Sequence, residues 1–338
     1  MKLRFVCIFC ISGLLVFWLS CGAREKPGTV VVYAAQDQLY SEPIFRSFEQ
    51  HTGIHVKPVY DTEAVKSVGL VTRLINERNN PQCDVFWNNE IARTILLKKM
   101  GILERFMSNK TAEVTSKYSD SDGYWVGFAG RLRVIVYNTE LLSETEAPHS
   151  VYDFTKPEWK GKLVIAYPLF GTTEVHLAAL KLIMGEGADD FFRQLIETDV
   201  AYLDGNALVV SLVAQGEYVA GFTDTDDAYS AQLQGKPVGM IFPDQDGMGA
   251  MLIPNTAAMV KGCPHPKEAR ELIEFLTSEK VQIMLAKSSS VQIPLLPEPR
   301  FEKSVFKDKD IEVMDIDYEK VAEVMKENRD FLKELFVR

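Results

Sequence analysis

The chain has 338 residues, 46% of them hydrophobic and 25% charged, with a formal charge of −10. That length accommodates two domains and a large core. An acidic chain without basic clusters argues against nucleic acid as a partner.

The N-terminus differs from the rest. Lys2 and Arg4 precede an uncharged, mostly apolar run from Phe5 to Ser20. This is too short to span a bilayer comfortably and ends at small residues, as a secretory signal does. Residues 1–20 are expected to be removed on export. Leu19-Ser20-Cys21-Gly22 resembles the site at which bacterial lipoproteins are cleaved and acylated, with Cys21 as the lipidated residue. Residues 21–28 then form a polar tether, which places the protein in the periplasm or at the cell surface. Of the five cysteines, Cys83 and Cys263 belong to the folded part. Pairing in an oxidising compartment and two buried thiols both remain open.

Thr29–Ala35 is a continuous β-branched run, as a buried parallel strand requires. Ser41–His51 has helical spacing and ends at Gly53. Ile54–Tyr60 is a second strand, and Asp61-Thr62-Glu63 opens a second helix. Asp84–Trp87 is a third strand, followed by the loop Asn88-Asn89-Glu90 and a helix over Ile91–Lys99. This alternation predicts a parallel sheet with helices on both faces. Arg131-Leu132-Arg133 leads into a strand over Val134–Tyr137. Further strands are expected at Leu163–Tyr167, Tyr218–Phe222, Val238–Phe242 and Ala250–Pro254. Helices are expected at Thr173–Met184, Asp189–Glu197, Asn206–Gln215 and Tyr318–Val337, and over Pro266–Leu285 with a break near Ser278.

The strand exits are polar and form the expected ligand rim of an α/β sheet. The stretch Gly221–Tyr229 carries Asp224, Asp226 and Asp227 where a strand passes into a helix. One carboxylate suffices for a helix cap. Three within four residues repel one another unless solvent, a cation or hydrogen-bond donors face them. Gly171 and Thr172 join a strand to a helix and fit either an anion seat or a plain cap. Arg131 and Arg133, two apart, share one side of an extended strand, and one of them is expected to face the rim. Asn206 reads as an N-cap. Asp37, Glu90, Asp224 and Asp226 together offer oxygen ligands to a hard cation, or to an amino group. No zinc spacing, HExxH, GxSxG or Walker motif is present.

Four blocks, TVVVYAAQDQLYSEPIFRSFEQHTGIHVK, PQCDVFWNNEIARTILLKKMGILE, GYWVGFAGRLRVIVYNT and KPEWKGKLVIAYP, resemble the solute-binding subunits of bacterial ferric iron importers. The resemblance runs from about Thr29 to about Pro297. It implies a two-lobed α/β periplasmic binding protein fold of type II, with two open sheets and a cleft between the lobes. The lobes would comprise residues 29–132 plus 255–287 and residues 133–254 plus 288–338. It also implies hinge closure around a solute and delivery to an ABC permease and ATPase, by a monomer, with no cofactor and ferric iron as the transported ligand. The two adjacent tyrosines of the iron binders align with Thr225-Asp226, their histidine with Asp37, and their glutamate with Asn89, beside Glu90. The anion-seat positions fall on Arg131, Gly171-Thr172 and Asn206.

The expected ligand set is therefore Asp37, Asn89, Glu90, Arg131, Gly171, Thr172, Asn206, Asp224, Thr225 and Asp226. The leading expectation is a ferric iron importer lipoprotein with a bound anion. A binding protein for a small organic anion or zwitterion, such as an aminophosphonate, is the alternative. Two other classes are a metal-assisted hydrolase and a surface lipoprotein that docks another protein.

Overall fold

The computed structural model describes residues 28–61, 68–106, 116–295 and 299–336. The signal segment, Cys21 and the start of the second helix lie outside the described residues.

The apolar runs become strands and the 3.6-period runs become helices. β1 (Thr29–Ala34) lies between β2 (His55–Tyr60) and β3 (Val85–Asn88), parallel to both. α1 (Gln38–Thr52) buries Ile44, Phe45 and Phe48 and ends at Gly53, whose φ of 73° is the left-handed cap that glycine tolerates. α2 is described over Val68–Asn76. α3 (Ile91–Lys99) carries its two lysines at the C-terminal end, where they suit the helix dipole. A short β4 (Leu103–Glu104) follows.

β5 (Trp125–Asn138) is longer than the expected strand, and all fourteen residues are buried. Its first part, Trp125–Leu132, pairs with β10 (Leu252–Val260). From Arg133 on, it pairs with β8 (Ala220–Asp224), and from Ile135 also with β9 (Val238–Ile241). β6 (Leu163–Ala166) and β7 (Ala201–Leu203) complete the second parallel block beside β8. The strand order is β2-β1-β3-β10-β5-β8-β6-β7. Two antiparallel strands, β10 and β5, thus join two parallel blocks, and β5 belongs to both halves.

α4 (Gly171–Met184), α5 (Gly187–Glu197), α6 (Asn206–Ala214) and α7 (Thr225–Leu233) belong to the second half. Gly221 is required in β8, because a Cβ there would meet the Val164 carbonyl oxygen at 2.5 Å. The break near Ser278 separates α8 (Pro266–Leu276) from α9 (Glu279–Lys287), and the Ser278 hydroxyl caps α9. Residues beyond Ser288 do not return at once to the second half. Gln292 donates to Gln36, Ile293 bridges Gly130, and the Leu295 N–H donates to Gln282, all on the first half. The chain then crosses where Val313 bridges Ala250. α10 (Tyr318–Phe336) packs on both α4 and α3. Cys83 and Cys263 are buried free thiols.

Candidate functional site

The two halves enclose a cavity of about 220 Å³. Asp37, at the head of α1, and Asn89, after β3, line it from the first half. Arg131 reaches it from β5. Gly171, Thr172, Asn206, Asp224 and Asp226 line it from the second half, from the ends of α4, α6 and α7. Eight of the expected ligand residues therefore share one cavity.

Its centre is the Asp224 carboxylate. Arg131 Nε donates to Oδ2 at 2.9 Å, and Arg133 Nη1 donates to Oδ1 at 2.7 Å. The Thr172 hydroxyl donates to Oδ2 at 2.9 Å, and Asn206 Nδ2 donates to it at 3.0 Å. Burial alone would raise the pKa of Asp224, but the Arg133 and Arg131 guanidiniums hold it below the usual carboxylate value. Asp224 occupies the N-cap position of α7, yet its side chain makes no capping bond. The carboxylate is drawn to the arginines instead.

One arginine was expected to face the rim; both are buried and both reach the Asp224 carboxylate. Arg131 also donates from Nη2 to the Asn89 carbonyl at 3.0 Å, and its Nη1 lies 3.8 Å from Asp226. Burial would weaken its charge, but Asp226, Asp224 and Asp227 hold it protonated. Arg133 Nη1 further donates to Thr172 and Asn206, and its Nη2 to Thr173. Its Nε is buried without a partner. Sequence reading selected Arg131 for the site and left Arg133 out. The i,i+2 spacing on one strand was the signal that places both.

Asn206 is the first residue of α6 rather than its cap; Gly205 holds the cap position. Its amide bridges Arg133, Thr172 and Asp224. Two expected residues do not line the cavity. Thr225 is fully buried, and its hydroxyl accepts from the Leu132 N–H. Glu90 is fully buried and committed to α3. It accepts from the Arg93 N–H at 3.1 Å and from Arg93 Nη1 at 3.2 Å. A carboxylate at a helix start with an arginine three residues on closes such a pair locally. Of the expected metal set, Asp37, Asp224 and Asp226 line the cavity and Glu90 does not, and Asp37 is not among the carboxylates that come close together. Ligand oxygens of Asp224, Asp226 and Asp227 lie within 4.8 Å of one another.

Asp227, the third carboxylate of the Gly221–Tyr229 stretch, also lines the cavity, as do Asp204, Tyr167 and Phe170, which were not singled out from sequence. Tyr40 stands nearby. Burial first, and then the fields of Asp226, Asp37 and Asp227, push its phenol up. Beside the cavity, Glu174 of α4 pairs with Arg93 of α3 and with Arg329 of α10, the latter at 2.9 Å. This chain of charges, buried at Glu174 and Arg93 and half-buried at Arg329, ties the first half to the second.

Comparison with known proteins agrees with this arrangement. A sequence profile described as bacterial extracellular solute-binding protein matches residues 94–321. The Fe(3+)-binding periplasmic protein of Serratia marcescens is 25% identical over 304 residues, covering 86% of this chain and 87% of that protein. The putative 2-aminoethylphosphonate-binding periplasmic protein of Salmonella typhimurium is 25% identical, with 82% of each covered. The ferric binding protein from Campylobacter jejuni superposes with a TM-score of 0.82 at 23% identity, covering 91% of this chain and 100% of that one. The fold is the type II periplasmic binding protein fold. Among the described residues, no helix is long and apolar enough to cross a membrane. With a cavity between two halves of such a fold and a profile match over most of its length, the chain belongs to the bacterial extracellular solute-binding protein family.

Proposed function

We propose that the protein is the exported, lipid-anchored receptor of an ABC importer, that its solute is a cation, and that ferric iron is the first candidate. The supporting observation is the carboxylate excess in the cavity. Asp37, Asp204, Asp224, Asp226 and Asp227 line it against the single lining guanidinium of Arg131, with Arg133 behind. Hard cations are bound by such oxygen donors. Relatives named for ferric iron lend weight to this reading.

Cys21 would anchor the mature protein, and the two halves would close on the solute before presenting it to the permease. The Glu174 pairs with Arg93 and Arg329 belong to that closure. The change of β5 from β10 to β8 at Arg133 supports a lobe boundary there. The aminophosphonate reading is supported by the relative named for that compound. It asks for open anion donors next to the carboxylates, and the donors here already hold Asp224.

Native mass spectrometry with metal analysis, on signal-less protein purified without added ligand, tests the cargo. Tightly held solutes survive purification because they dissociate slowly. Bound iron supports the reading, and a bound organic anion ends it. Membrane attachment that persists in Cys21→Ser would remove the lipid anchor from the proposal.

A further inference from the structure

A guanidinium fork, a hydroxyl and a primary amide converging on one point form a donor set for phosphate or carboxylate. Arg131, Arg133, Thr172 and Asn206 are that set, and the point is filled from within the chain. Oδ2 of Asp224 receives three of the four bonds and Oδ1 the fourth. We propose that Asp224 is a built-in counter-anion, so that the cationic solute is bound without any exogenous anion. This inference rests on the cation reading above and specifies its stoichiometry.

Three observations carry it. Asp224 is held by the backbone: it is the register partner of Arg133 across the antiparallel β5–β8 pair. That pairing fixes its backbone opposite Arg133 and keeps its short side chain within reach of the donors. A tethered carboxylate has also lost no translational freedom on binding, so an external anion competes against a high effective concentration. Finally, with Asp224 on the arginines, the remaining lining charges are carboxylates at Asp37, Asp204, Asp226 and Asp227. They repel a second anion and attract a cation.

The test uses signal-less protein, wild type and Asp224→Ala, with two probes. One is inorganic phosphate alone, followed by calorimetry and by the unfolding midpoint. The other is Fe3+, generated by oxidising ferrous chloride in buffer free of phosphate and carbonate, with and without added phosphate. Phosphate is expected to leave the wild type unchanged and to bind Asp224→Ala at least about tenfold more tightly. Fe3+ retention by the wild type is expected to be the same with and without phosphate. Phosphate binding to the wild type as tightly as to the variant overturns the counter-anion. So does wild-type Fe3+ retention only when phosphate is present, which would leave the iron reading standing. A folded variant that ignores phosphate overturns it too, because the emptied donors would then be no anion seat. If neither protein retains Fe3+ in any condition, the iron reading falls and the phosphate arm alone decides the counter-anion. Should Asp224→Ala fail to fold, the wild-type arms decide.

Discussion

Arg133 and Asp224 face each other across adjacent antiparallel strands, and Arg133 Nη1 lies 2.7 Å from Asp224 Oδ1. Neither side chain has meaningful contact with solvent. A buried pair of this kind is costly to build and costlier to break on one side only.

Arg133→Met should therefore destabilise the fold by about 3–5 kcal/mol, since it leaves Asp224 with one guanidinium fewer in a buried setting. Urea unfolding of the variant beside the wild type reads the difference. A change within about 0.5 kcal/mol, the range of an ordinary surface substitution, would contradict the structural role.

Acid should weaken the protein through His176. This imidazole is buried on α4, edge-on to Phe222, and burial followed by the nearby Arg133 charge lowers its pKa to about 3. Its folded pKa lies below the unfolded value of about 6.5. The unfolded chain therefore binds the extra proton between the two values. Stability is full above about pH 6.5 and is lost as pH falls through that window, by up to about 1.4 kcal/mol per pH unit. His176→Gln should flatten the pH dependence between about 6.5 and 3, as followed by chemical denaturation at several pH values. Asp224 acts later. Its folded pKa is depressed, so its contribution is present above the ordinary carboxylate range near 4 and declines below it.

Glu174→Ala should loosen the two halves. It removes the common partner of Arg93 and Arg329, a buried carboxylate that links α3 to α4 and α10, and, among the described residues, leaves only the more exposed Lys99 pairs with Glu319 and Glu323 between α3 and α10. A bias of about 1.4 kcal/mol towards separation changes the ratio of open to closed molecules tenfold. The expected outcome is a larger radius of gyration for the unliganded variant in small-angle scattering. Equal radii for both proteins would exclude Glu174 as a tie between the halves.

Asp226→Ala should weaken Fe3+ retention by at least about tenfold while leaving stability nearly intact. Asp226 lies at the cavity, near Arg131 but outside its shortest bonds. Competition against a chelator provides the readout. Affinity unchanged within about threefold would reduce this carboxylate to a helix-end residue.

Local chemistry made much of the fold legible. α3 runs over Ile91–Lys99 as read, because an acidic residue starts it and lysines finish it. Ser278 splits the long helical stretch because its hydroxyl caps α9. The full length of β5 was not legible, since its partners β10 and β8 are distant in sequence. At the site, residue types at strand exits pointed to Asp37, Asn89 and the Asp224–Asp226 loop, and a charge beside an apolar strand pointed to Arg131; all of these but Thr225 line the cavity. Residue types could not say which way each carboxylate turns. Glu90 and Asp224 look alike in sequence, each an acid at the start of a helix. Arg93, three residues on, claims the first, and two arginines on another strand claim the second. Asn206 was misplaced by one position for the same reason. Its amide is held by Asp224 and Arg133 rather than by its own helix.

Arg131 donates to Asp224 on one side of the cavity and to the Asn89 carbonyl on the other. A single planar group thus spans from the strand exit of one half to that of the other. Its dimensions are fixed by covalent bonds, so while both bonds stand it fixes the spacing between the Asn89 backbone and the Asp224 carboxylate, as a caliper fixes a gap.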